Sequence, residues 1–315
     1  MSAPSKTLLC TPASVLSPYH VLADAFPKYH PAFCDTDADI VLRSIESTLY
    51  RVHSFTLRNA SGFFDTMFSL PQPNGNTRQQ STTLLDVYEG DFELERLLRL
   101  MFGLTIPRWS SLEELERVLN IAEKWDTPGP ISVIRRALSS GTFIHSHPLK
   151  CYLIATHFGW ADVARLASTF TLALNLYDPM HSSTLNELTS KALLPLLELH
   201  RRRRDMFKEL LNSPERFAAG NSTTYHCSKC GVTQLDNSPW RAFKHAMFLE
   251  IERRPLGDTL GLSAGETAEW PEALACWKAK CQKEGCGGLN YDRIATLKQI
   301  RICVSLLPKV VHLPC

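Results

Sequence analysis

Apolar residues along this chain recur first at every second position and later at every third or fourth, and the change of period divides the sequence. Asp39-Ile-Val-Leu42 and Tyr50-Arg-Val-His53 alternate as half-buried strands do, and Thr82 to Val87 reads as a third strand. Side chains alternate across a strand, so Ile40 and Leu42 are expected on one face and Val41 and Arg43 on the other. Between the second and third strands, Ser61 precedes an apolar run in which Phe64, Met67 and Phe68 share one helical face, and its hydroxyl suits an N-cap. Asp91 is expected to cap a further helix that buries Phe92, Leu94, Leu97, Leu98 and Met101 and exposes Glu93, Glu95, Arg96 and Arg99. The order strand, strand, helix, helix, strand, helix describes a small mixed unit with a core of its own.

After Pro107 the period is helical. Ser110 or Ser111 is placed to cap a helix with Glu113 or Glu114 in its first turn, and Leu112, Leu115, Leu119 and Ala122 form the stripe it buries. Pro128-Gly-Pro130 is expected to break the run before a second helix, Ile131 to Leu138. Further helices are predicted over Pro148 to His157, Trp160 to Leu174 and Thr184 to Leu211, with Ala155, Ala161, Ala164 and Ala167 allowing close packing. Two stretches lack periodicity. Met1 to Asp35 is interrupted by prolines and reads as a flexible leader, ordered near Phe33, and Leu70 to Ser81 reads as a mobile loop.

Composition narrows the class. With 44% apolar residues among 315, a sizeable core is available. The net charge of +2, from 34 basic and 32 acidic residues, advertises neither nucleic acid nor membrane. No apolar run approaches a membrane span and the start has no signal-peptide layout, so an intracellular protein, cytoplasmic or nuclear, is expected. Cysteines there serve as thiols or metal ligands more often than as disulfides. The run His200-Arg-Arg-Arg-Arg204 reads either as an import signal or phosphate patch, or as a solvated helix end paired with Glu198, Asp205 and Glu209. The second is preferred, because no other basic cluster reinforces the first.

Beyond Gly220 the composition shifts again, and most of the ten cysteines lie there. His226-Cys227-Ser-Lys-Cys230-Gly231 has the form of a metal knuckle, since two thiolates separated by two residues on a turn can face one ion while the glycine lets the backbone fold back. Cys281 and Cys286 are the best second pair, with Cys276 the nearest substitute. Zn2+ suits four thiolates, and a site closed by four protein ligands is structural. The intervening residues predict a helix from Pro239 to Arg253, buried through Trp240, Phe243, Met247 and Ile251, and a turn at Pro255-Leu-Gly-Asp258; a metal tying both ends would stabilise a region with little core of its own. Metal-free thiols and a Cys-x-x-Cys redox pair, for which Lys229 is a compatible neighbour, stay open. Cys303 reads as core on a helix from Tyr291 to Leu307, and Cys10 and Cys315 lie in tails.

Asp39-x-x-Leu42, Val52-His53, Ser61-x-Phe63-Phe64-x-x-Met67-Phe68, Leu97 to Phe102 and Ala122-Glu-Lys-Trp-Asp126 together resemble a BTB/POZ domain, and the similarity extends through Pro148-Leu149 to the arginine run, toward the BTB proteins expanded in mushroom-forming fungi. The chain departs from the family's common Tyr-Thr-Gly at Met101-Phe102-Gly103. The resemblance implies an α+β protein: a leader over 1–35, a BTB/POZ unit over 36–139, a BACK-like helical extension over 140–220 and a cysteine-rich zinc module over 221–315. It implies that Asp39 and His53 fix a strand-to-helix turn, where a reader of enzymes would pair them as acid and base, and that Ser61, Phe63, Phe64, Met67 and Phe68 are structural. It implies two cysteine pairs flanking a Trp-bearing helix. The implied function is non-enzymatic protein binding, with self-association through the helix near His53 to Leu57 and the leader. Leu112-Glu113-Glu114 has the form of the element by which some BTB adaptors of ubiquitin ligases touch a cullin. Transcriptional regulation through DNA is the alternative of another class, and only Arg241, Lys244 and His245 would serve it. No catalytic motif emerges.

Overall fold

The computed structural model describes residues 28–71, 82–260 and 270–313, so the expectations for most of the leader, for the loop 72–81 and for Cys10 and Cys315 lie outside the described residues. It is a mixed α+β structure, mostly helical, with one three-stranded sheet. Packing divides it into two units: residues up to Ile106 together with Lys124–Thr127, and Pro107–Glu123 together with Pro128 onward.

The first unit contains β1 (Ile40–Arg43), β2 (Leu49–Val52), α1 (Ser54–Ala60), α2 (Gly62–Ser69), β3 (Thr83–Asp86) and α3 (Asp91–Met101). The element order is the predicted one. Strand β1 is central, antiparallel to β2 with Ile40 opposite Val52, and parallel to β3 with Ile40 opposite Thr83. Its burial departs from the expected alternation. Ile40, Val41 and Leu42 are all buried, so Val41 does not share the exposure of Arg43. Arg43 instead pairs across the sheet with Asp86.

Residues 28–33, expected within the flexible leader, lie along β2: the His30 N–H donates to Leu49 O at 2.8 Å, and the His30 ring stacks on Tyr50 at 4.9 Å. Phe33 is buried against them. In α3, Asp91 is not the cap. Gly90 holds that place, and the Asp91 carboxylate accepts from Thr48 Oγ1 at 2.6 Å and from the Tyr50 hydroxyl at 3.1 Å, joining β2 to α3. Burial disfavours the charge, but bonds from Ser44, Thr48 and Tyr50 outweigh it and hold the acid below the usual carboxylate range. Arg96, expected outside, is buried with its guanidinium 4.5 Å over the Phe92 ring. Residues 124–127 complete this core: Trp125 meets Phe64 edge to face at 5.0 Å, and its carbonyl accepts from Ser61 Oγ at 2.5 Å.

The second unit comprises α4 (Leu112–Lys124, whose last residue belongs to the first unit), α5 (Pro128–Ser140), α6 (Phe143–Ser146), α7 (Pro148–His157), α8 (Ala161–Thr171), α9 (Ser182–Glu187), α10 (Ser190–Asn212), α11 (Ala218–Asn221), α12 (Ser238–Arg253), α13 (Pro271–Lys278) and α14 (Arg293–Ser305). Pro128 and Pro130 do not precede α5; they form its first turn, where missing N–H groups cost nothing. The predicted helix from Thr184 is two, split at Leu188–Thr189. The Ser111 hydroxyl caps α4 by accepting from the Glu114 N–H at 3.3 Å, as its position predicts.

The arginine run is not a helix end. It sits in the middle of α10, and Arg203 is buried, donating to the carbonyls of Pro255 at 2.7 Å, Leu256 at 3.1 Å and Pro308 at 2.5 Å. Burial pulls this guanidinium down to about 10, so it stays a cation at neutral pH. Arg204 binds Asp205 and Glu252. Beside them His200 is pushed down to about 4 by burial and by Arg203, and is a neutral imidazole at pH 7.

No gap in packing marks residue 220. Phe207, Leu211 and Phe217 share one apolar cluster with Trp240, Phe243, Met247, Ile251, Ile300 and Cys303, so the cysteine-rich segment has a substantial core and not the small one expected. At its centre Trp240 lies directly on Gly220; a Cβ there would come within 2.2 Å of the indole. The Trp240 Nε1–H donates to Asn221 Oδ1 at 3.0 Å.

Arg203→Ala is expected to lower unfolding stability by about 3 kcal/mol or more, because it strands buried carbonyl acceptors at about 1–3 kcal/mol each. Arg203→Lys should recover little, since one ammonium cannot reproduce the planar fork. Urea midpoints within about 0.5 kcal/mol of the parent would refute the brace. Ser61→Ala is expected to cost about 1 kcal/mol as a lost cap, read by the same titration.

Candidate metal centre

Each cysteine pair stands on a small hairpin. In the first, Leu235 N–H donates to Tyr225 O at 2.8 Å and Cys227 N–H to Thr233 O at 2.9 Å, while Gly231 N–H closes the turn onto Cys227 O at 2.8 Å. Gly231 has φ +65°, a conformation glycine adopts without strain. In the second, Asn290 N–H donates to Ala279 O at 2.9 Å and Cys281 N–H to Gly288 O at 2.8 Å. The hairpins meet at Gly288, where a Cβ would lie 3.2 Å from Cys227 Sγ, and Lys229 Nζ stitches them by donating to Cys286 O at 2.6 Å.

This arrangement brings together Cys227, Cys230, Cys281 and Cys286. Cys227 Sγ is 3.7 Å from Cys286 Sγ, Cys230 Sγ is 3.8 Å from Cys281 Sγ, and all four sulfurs lie within 4.8 Å of one another. Zinc–thiolate bonds of about 2.3 Å in a tetrahedron place sulfurs about 3.8 Å apart. These separations exceed the roughly 2.05 Å of a disulfide. The donor set, its spacing and its shielding, with Leu235 packed alongside, fit a closed four-thiolate zinc site.

The knuckle prepares its sulfurs as anions. Backbone N–H groups of Val232 and Thr233, together with the Thr233 hydroxyl, bring Cys230 down to about 5. Those of Cys230 and Lys229 lower Cys227. Cys286 moves the other way: the Gly288 N–H favours its thiolate, but burial and the neighbouring sulfurs prevail and push it up to about 11. Crowded thiolates repel one another, and a cation among them relieves that repulsion.

Cys276 is not part of the cluster. It lies fully buried in the apolar core beside Trp240 and Phe243, where desolvation pushes its thiol up to about 12. His226 pairs with Gln234 through its backbone and is exposed. Compared with models of known protein families and with curated proteins, the chain matches none. Its chemistry is therefore read from geometry. Among the described residues, no helix is long and apolar enough to cross a membrane.

In the first unit, Asp39 accepts from the Ser54 N–H at 2.8 Å and from the Ser54 hydroxyl, securing the start of α1. His53 Nε2 sits 3.0 Å from Asp35 Oδ2, so its carboxylate partner is Asp35. Ser61 caps α2 by accepting from the Phe64 N–H at 3.2 Å. Of the apolar residues on that helix, Phe64 is buried, Met67 and Phe68 are half-buried, and Phe63 is 46% exposed. Sequence reasoning missed the stitch made by Lys229, naming it only as a compatible neighbour of a redox pair; its signal was a cation inside a pair that had to meet a second loop.

The protein is expected to carry one zinc ion per chain when purified without chelator. Cys227→Ser and Cys286→Ser should lose it, and Cys276→Ala should keep it, as read by native mass spectrometry. Metal retained by both serine variants would refute the assignment.

Proposed function

We propose that this chain is a protein-interaction module of the BTB/POZ kind, without catalytic activity, that forms homodimers and carries a structural zinc ion in its C-terminal part. The observation that carries this reading is the first unit's arrangement: a β1–β2 hairpin, two helices, and β3 returning parallel to β1. The reading is supported by Asp39 and Ser61 at helix starts and by Phe64 buried against Trp125. The stretch 140–220, read as a BACK-like extension, is helical from α6 to α10. Self-association is supported by Phe55, which lies on the helix the resemblance assigns to it and, at 75% exposure, is accessible to a partner.

Two competing readings lose ground on particular residues. In the cullin reading, Leu112 must be available to a partner, yet it is fully buried, and Glu114 Oε2 accepts from the Ser110 N–H at 3.0 Å. In the DNA reading, Arg241 must be available to phosphates, but it donates to Asn237 Oδ1 at 2.6 Å, and Lys244 Nζ donates to Asn212 Oδ1 at 2.6 Å and Asn221 Oδ1 at 2.9 Å.

Sedimentation equilibrium should give twice the chain mass, and Phe55→Asp should weaken the dimer at least tenfold while leaving the metal content unchanged. A monomer at all concentrations would defeat the proposal.

A further inference from the structure

A groove of about 1110 Å³ opens in the second unit between the cysteine hairpins, α11 and the first turn of α14. It exceeds the size of pockets that enclose small molecules, about 300–1,000 Å³, and its openness suits a chain passing through it. Its walls are aromatic: Phe217, Tyr225, Trp277 and Tyr291. They are fixed from behind, because Phe217 stacks on Trp240 at 5.0 Å and Trp277 meets Phe243 edge to face at 5.4 Å. At the rim, Leu289 is 55% and Ile294 81% exposed, an arrangement of large apolar side chains that invites cover.

Two further observations define the occupant's chemistry. Trp277 Nε1–H and Asn290 Oδ1 are buried polar atoms without a hydrogen-bond partner among the described residues, and both residues line the groove. Buried polar atoms are rarely left unpaired, and an orphan donor and an orphan acceptor on the lining of one groove offer the two complements of an amide. The Asn290 amide is held only by a long 3.4 Å bond to Asp236 O, so a small rotation presents its oxygen. One cation on the lining is available to an anion: Arg216 makes no ion pair among the described residues, whereas the Asp292 carboxylate is engaged at the N-terminus of α14, accepting from the Ala295 N–H at 2.9 Å.

We propose that this groove binds an extended peptide segment of a partner protein, carrying an apolar side chain next to an acidic residue. The apolar side chain enters between the aromatic walls and under Ile294. The acidic one lies toward Arg216, and a backbone amide pairs with Trp277 and Asn290. One wall stands on the cysteine hairpins; the groove is lined by second-unit residues alone, Phe55 belongs to the first unit, and the proposal does not depend on the BTB reading.

The test is selection of a phage-displayed library of random 12-residue peptides on the full-length, metal-loaded protein. Enriched peptides should share a Leu, Ile or aromatic residue adjoining Asp or Glu. A synthetic peptide of that sequence should bind at least tenfold more weakly to Ile294→Asp and to Arg216→Glu, and as well to Phe55→Asp as to the parent. Ile294 is exposed, so its variant should fold, checked by unchanged metal content and melting temperature. Absence of a shared motif, or binding unaffected by both groove variants, would overturn the proposal. So would concentration-dependent self-association abolished by Ile294→Asp, which would make a second copy of the chain the occupant.

Discussion

Four sulfur atoms within 4.8 Å of one another, on hairpins more than fifty residues apart in sequence, are the constraint on which the C-terminal architecture turns. Ionised together they repel strongly in a shielded site, and protonated together they are weak hydrogen-bonding partners. A divalent cation resolves the conflict by supplying the charge that the turns already anticipate, since backbone amides aim at Cys227 and Cys230 before any ion arrives. Gly231, Gly287 and Gly288 belong to the same solution: two of them turn the chain through positive φ, and the third lets the hairpins touch.

The metal is not the only force in this part of the chain. Trp240 on Gly220, with Phe207 and Leu211 from α10, builds an apolar core that has no need of thiolates, and Cys276 and Cys303 are its small hydrophobes. A bound ion would therefore fasten a rim onto a body that hydrophobic burial already organises. The groove's walls accordingly rest on two supports, one aromatic and one built on the sulfur-bearing hairpins.

Much of this was legible in the residues. Period-two runs and the Ser61 cap located the elements of the first unit, and the Cys-x-x-Cys-Gly spacing located half of the sulfur cluster, because both signals are local. Choosing Cys281 and Cys286 over Cys276 needed only the cue that the glycine-rich turn favours a knuckle, whereas Cys276 sits on the buried face of a helix, α13. What sequence could not convey was long-range. The inward turn of Arg203 depends on carbonyls from two distant loops, and the Asp91 side chain is drawn away from capping by Thr48 and Tyr50. Val41, on the face its strand pattern marks as outward, is buried all the same. The Arg203 and Asp91 cases are tertiary partners overriding a local rule.

The reach of Arg203 has a bearing on biosynthesis. Its acceptors lie 52, 53 and 105 residues downstream, so while the chain emerges from the ribosome this cation on α10 stays hydrated until Pro255 and Leu256 have been added, and it gains its third carbonyl only with Pro308. A nascent chain that stalls between Leu256 and Pro308 therefore holds its guanidinium with two carbonyls and an open third place, a natural substrate for chaperones and quality-control proteases.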